Sequence, residues 1–209
     1  MSSINLDQTV AVAPNERRRL SGDPHRPRYH FLPPSNWIND PNGLIQWGDE
    51  VHIFYQYNPY GPWHERVHWG HAVSNDLLHW RDLPIALTPM AGEHDADGCF
   101  SGCAVDDHGE PVLFYTGVWP QVLNRAVSHD GLLTWQKDPR NPLIPGPPAP
   151  FGGSAEPDFR DPYVWREGDE WQMVIGSRLE QVGGAVLHYR SIDARTWEFT
   201  GSLLTGDAT

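Results

Sequence analysis

Gly48-Asp49-Glu50-Val51-His52-Ile53-Phe54-Tyr55-Gln56 opens on a polar turn and runs directly into an apolar stretch, and the chain does this twice more. His108-Gly109-Glu110 leads into Pro111 to Thr116, and Gly168-Asp169-Glu170 leads into Trp171 to Gly176. The glutamates recur at an interval of 60 residues, Glu50 to Glu110 to Glu170. Each triplet is a hairpin signal, because Gly and Asp suit a tight turn and the run beyond has the composition of a strand.

Working outward, the phase holds on both sides. A strand-like run precedes each turn: Gly43 to Trp47, Phe100 to Val105, and Tyr163 to Arg166. A third run follows and ends alike each time, in Ser74-Asn75-Asp76 with Trp80, Ser128-His129-Asp130 with Trp135, and Ser191-Ile192-Asp193 with Trp197. A short apolar piece comes after each Trp, for example Leu83 to Leu87 or Phe199 to Leu204. Four short strands per unit, repeated at a fixed period, predict an all-β chain built as a β-propeller, since one twisted sheet cannot bury both faces and must stack on its neighbours. About three blades are expected, over residues 29–90, 91–150 and 151–209. A β-sandwich would supply the strand count without explaining the period. The Pro- and Gly-rich stretch from Pro139 to Pro157 reads as an inter-blade loop, because the phase crosses it. Residues 1–28 read as a polar, loosely held leader, with Arg17 to Arg19 on a solvated surface.

Composition narrows the function classes. The chain has 209 residues, a 39% hydrophobic fraction and ten Trp, which fits a globular protein with aromatic packing. A formal net charge of −12 with only 15 Lys and Arg lacks the footprint of a nucleic-acid binder or of a protein held on anionic lipid. Val10 to Ala13 is too short for a signal-peptide core and no membrane span is seen, so a cytoplasmic location is expected. Cys99 and Cys103, four apart in one strand, would share a face roughly 13 Å apart, too far for a disulfide. The histidines form no ligand cluster, so no metal is expected; His71 reads as a loop-orienting residue. No Gly-rich phosphate loop precedes a helix, so no cofactor is implied.

At the first strand of each unit the repeats diverge into chemistry. Asp40 lies ten residues before Glu50, Ser101 nine before Glu110, and Asp161 nine before Glu170. Equivalent positions on successive blades converge on the propeller axis, so two carboxylates there face one pocket. Trp37-Ile38-Asn39-Asp40-Pro41-Asn42-Gly43 sets a carboxylate between an amide and a Pro-Asn-Gly turn; Phe159-Arg160-Asp161-Pro162 sets a guanidinium beside another and a Pro after it.

Asn36-Trp37-Ile38-Asn39-Asp40-Pro41-Asn42-Gly43 resembles the β-fructosidase motif of glycoside hydrolase family 32. Gln56-Tyr57-Asn58-Pro59, Trp69-Gly70-His71-Ala72, Phe100-Ser101-Gly102 and Arg160-Asp161-Pro162 follow in family order. The resemblance implies a five-bladed propeller followed by a β-sandwich, and cleavage of terminal β-fructofuranosyl units from sucrose or fructans, a small-molecule sugar partner. It implies Asp40 as nucleophile and Asp161 as transition-state stabiliser, with Arg160 fixing its charge and orientation. It also implies Asn39, Gln56 and Ser101 as polar contacts to the furanose, and Trp37, Trp63, Trp69 and Phe100 as apolar walls.

A retaining glycosidase needs a second carboxyl as acid/base. In the family this is the Glu of a Glu-Cys-Pro-like motif on the next blade, and the sequence contains none. The repeat phase places it near residue 220, and Glu156 and Glu180 are poor substitutes. The chain is therefore expected to be a truncated product, weakly active alone. Two further readings stand beside the hydrolase: a fructosyltransferase of the same architecture, and a fructoside-binding fragment without turnover. The oligomeric state is left open by the sequence.

Overall fold

The computed structural model describes residues 14–152 and 157–206. Residues 1–13 of the leader, and Glu156, lie outside the described residues. The order is a short helix α1 (Pro14–Leu20), then β1 (Trp37–Trp47), β2 (Glu50–Asn58), β3 (His68–Ser74) and β4 (Arg81–Leu87). Next come β5 (Gly98–Asp107), β6 (Glu110–Val118), β7 (Val122–Val127) and β8 (Gln136–Lys137), then β9 (Phe159–Glu167), β10 (Glu170–Leu179), β11 (Gly183–Ser191) and β12 (Glu198–Thr205). They form three four-stranded antiparallel sheets in plain sequential order, β1 to β4, β5 to β8 and β9 to β12. The first strands, β1, β5 and β9, pack beside one another, so the sheets are propeller blades arranged about a shared axis.

Two apolar interfaces join the blades. Phe54, Trp69 and Leu87 of the first meet Cys99, Leu113, Tyr115 and Leu132 of the second. Val112, Phe114 and Leu123 of the second meet Phe159, Met173 and Leu187 of the third. The outward face of the first blade, around Ile53, Tyr55 and Tyr57, is covered by Phe31, so the segment before β1 packs against it. Arg17, expected on a solvated surface, instead forms paired bonds of 2.6 and 2.7 Å to Asp82 and donates to the Leu32 carbonyl, docking α1 against β4. On the third blade Ile192, in the turn after β11, and Leu203 and Leu204, on the edge strand β12, are exposed.

The Ser-x-Asp turns close each blade by a common device. Asp76, Asp130 and Asp193 accept backbone N–H groups from the residues that follow them, and a serine hydroxyl two residues earlier completes each turn. The residue after each Asp is left-handed: Leu77 at φ 64°, Gly131 at 73° and Ala194 at 53°. His71 lies within β3 rather than at a loop; it is buried, stacked on Phe54 and hydrogen-bonded to His52 at 2.9 Å. No helix among the described residues is long and apolar enough to cross a membrane.

Candidate active site

The inner strand of every blade carries a β-bulge at the same place. In β1 the register passes from Ile38 opposite Tyr57 to Pro41 opposite Tyr55, so Asn39 and Asp40 share one partner. In β5 it passes from Phe100 opposite Thr116 to Gly102 opposite Tyr115, leaving Ser101 as the extra residue. In β9 Asp161 and Pro162 oppose a single residue between Val174 and Gly176. A bulge frees one residue from the ladder and re-aims its side chain. Here it does so for Asp40, Ser101 and Asp161.

The β5 bulge corrects one expectation from the sequence. Cys99 and Cys103 are free and buried, but Cys99 packs in the interface of the first two blades and Cys103 in that of the second and third. The extra residue between them reverses the alternation of the strand, so they do not share a face.

The three projecting residues are wired together. Ser101 donates from Oγ to Asp40 Oδ2 at 2.7 Å, and Gln56 Nε2 donates to Ser101 Oγ at 2.8 Å. Asn39 Nδ2 reaches Gln56 Oε1 at 3.4 Å. Asp161 stands at φ 60°, a left-handed conformation that Asp tolerates better than most residues, and its N–H donates to Thr116 Oγ1 at 3.1 Å. Its carboxyl is pushed above the ordinary carboxylate range, first by desolvation among the inner strands; Arg160 opposes the rise and the nearby charge of Asp40 adds to it. Arg160 is held more closely by Asp158, at 2.5 Å, than by Asp161, at 4.0 Å.

The aromatic residues fall into two groups. Trp37 and Phe100 flank the His64 ring, with centroids at 5.1 and 5.7 Å, and Trp63 is half exposed on the same loop, its indole N–H bonded to Glu65 at 2.8 Å. Trp69 does not form a wall. It is fully buried between the first two blades and donates to the Phe100 carbonyl at 3.1 Å, so it supports the strand carrying Ser101 instead of meeting a ligand. Beside Phe100 opens a cleft of about 460 Å³ that His64, Arg66, Asp97 and Trp119 also line.

Sequence reasoning did not single out His64, Trp119, Thr116 or Gln121. A Thr closing the apolar run Val112 to Tyr115 was the available signal for Thr116, because a hydroxyl buried there requires partners. Among the described residues no group of three or more His, Cys, Asp or Glu could hold a metal ion.

Stacked four-stranded blades, with an aspartate projecting from the inner strands of the first and third and a serine from that of the second, define the blades of a β-propeller. The chain belongs to glycosyl hydrolase family 32: the family's N-terminal domain matches residues 30–209. It is 40% identical to the sucrose-6-phosphate hydrolase of Escherichia coli over 99% of this chain and 43% of that protein. It is also 40% identical to the levanase of Bacillus subtilis, over 84% of this chain and 26% of the relative. Among solved structures it is similar to fructan 1-exohydrolase IIa from Cichorium intybus, with a TM-score of 0.81 and 38% identity over 90% of this chain and 36% of that one. A β-fructofuranosidase from Bombyx mori gives a TM-score of 0.77 at 39% identity, over 88% and 39% of the two chains. The chain thus spans less than half the length of these relatives.

Proposed function

We propose that this chain carries the nucleophile side of a retaining β-fructosidase site that releases terminal β-fructofuranosyl units from sucrose, its phosphate or fructans. The observation that carries the reading is the arrival of Asp40 and Asp161, from blades one and three, at matching bulges around one axis, with Ser101 between them. Ser101 fixes Asp40 Oδ2, so the carboxylate is presented in one orientation to the anomeric carbon. Attack would form a covalent fructosyl ester and expel the aglycone oxygen, which takes a proton from a separate acid; water then cleaves the ester with net retention. Asp161 would accept sugar hydroxyls and steady the positive charge that develops in the ring. Trp37 and Phe100 offer faces for the sugar's C–H surfaces, and the names of the relatives support β-fructosides as the substrate class.

The experiment is Asp40→Asn in the full gene product, assayed for free fructose from sucrose and levan. Loss of about 10⁴-fold or more in kcat with an unchanged melting temperature is expected. Retained turnover would remove Asp40 as nucleophile, and accumulation of oligosaccharides in place of free fructose by the parent would shift the reading to a transferase.

A further inference from the structure

We propose that Thr116, near the end of β6, is the positioning residue that locks the two site aspartates in register with each other; this rests on the β-fructosidase reading above. Thr116 has no exposed surface. Its hydroxyl uses both of its capacities: it donates to the Ser101 carbonyl at 3.2 Å and accepts the Asp161 N–H at 3.1 Å. Ser101 then donates to Asp40 Oδ2 at 2.7 Å. A continuous chain of three hydrogen bonds and one residue backbone therefore runs from the carboxylate of the first blade, through the second, to the backbone of the third.

The bulges explain why such a clamp is required. Each removes its projecting residue from regular pairing, which leaves the Ser101 carbonyl and the Asp161 N–H in need of another partner in a place shielded from water. One hydroxyl satisfies both. Gln121, also buried, accepts the Phe159 N–H at 2.7 Å, so side chains near the end of β6 grip β9 at alternate residues, 159 and 161. Gln121 seats the strand; Thr116 acts at the residue whose left-handed backbone aims the carboxyl. A valine there fills the same volume and can make neither bond.

The test uses the full gene product with Thr116→Val, Thr116→Ser and Thr116→Ala, measuring kcat and KM on sucrose and levan beside thermal melts. Thr116→Val is expected to lose about tenfold or more in kcat with KM changed by less than about threefold, because misplacing a transition-state group costs rate more than ground-state binding. Thr116→Ser, which keeps the hydroxyl, is expected to recover most of the loss. A Thr116→Val enzyme with the parent's kcat, or a Thr116→Ser enzyme as slow as Thr116→Val, overturns the proposal. Should Thr116→Val not fold, Thr116→Ala takes its place, and parental kcat in that variant overturns the proposal equally. Carbon-13 titration of the Asp161 carboxyl reads the geometry without turnover: it is expected above the ordinary carboxylate range in the parent and closer to that range in Thr116→Val. An unmoved titration overturns the clamp even if no fructoside is consumed, whereas a parent inactive on every β-fructoside overturns only the assigned function.

Discussion

Replacing Gly102 by alanine should damage stability and activity together, and the size of the effect follows from the bulge. Gly102 comes immediately after Ser101, where β5 rejoins its pairing with β6. A Cβ there would overlap the Phe114 carbonyl oxygen and stand 2.8 Å from the Tyr115 Cα, both backbone atoms of β6. No rotamer can relieve such a contact, so the two strands must part by about 1 Å before the methyl fits. Overpacking of this kind costs about 1–3 kcal/mol, and the upper part of that range applies because the obstacle is backbone. In a cooperative unit of roughly 150–250 residues that is a fall of roughly 5–10 °C in melting temperature. The same displacement carries Ser101 away from Asp40, to which it now donates at 2.7 Å, and a misplacement near 1 Å costs on the order of 100-fold in rate. Circular dichroism melts and initial rates of fructose release from sucrose, run on the full gene product, measure both. A variant with the parent's melting temperature and rate would refute the strand separation and, with it, the account of how Ser101 is placed.

Three other outcomes are expected. Leu77→Gly should raise stability by about 0.5–1 kcal/mol in a denaturant melt, because Leu77 is exposed at φ 64° where the second blade already has Gly131, and a side chain in that conformation costs about 1–2 kcal/mol before glycine's own entropy is set against it. Lowering the pH from about 4 toward 2 should progressively destabilise the fold. Desolvation raises the Asp193 carboxyl, but the Thr196 and Arg195 N–H groups and two hydroxyls outweigh it and hold it at about 2, while Asp130, led by its bond to the Thr134 hydroxyl, also sits at about 2. Because these folded-state values are depressed, the stabilisation is present above the ordinary carboxylate range and is lost as acid protonates the turns, which a pH series of thermal melts would show. Arg17→Ala should cost about 0.5–1 kcal/mol, since its paired bonds to Asp82 are partly exposed, and proteolysis should then cut sooner before β1; an unchanged cleavage rate would show that α1 is not held by this contact.

The repeat made the architecture legible because each blade announces itself with the same turn, the same apolar run and the same Ser-x-Asp closure. The positions of Asp40, Ser101 and Asp161 were legible for the same reason, as a constant offset before Glu50, Glu110 and Glu170, within one residue. What the pattern could not convey was facing. Alternation along a strand assumes unbroken pairing, and the residue inserted in β5 reverses it, which is why Cys99 and Cys103 part to opposite interfaces. Trp69 failed as a sugar wall for a related reason: a motif names neighbours in sequence, and β3 turns that indole toward the second blade. Thr116 and Gln121 escaped notice because their partners are backbone groups far along the chain, which residue type alone does not disclose.

The matching bulges also bear on how such a site could arise. A copied blade arrives with its pedestal already built, a place where one residue stands proud of the sheet and looks toward the axis. Whether that residue is an acid or a hydroxyl is then a matter of a few nucleotide changes, made without disturbing the strands beneath. New chemistry can be added to this ring by editing a pedestal's occupant while the masonry stays as it was.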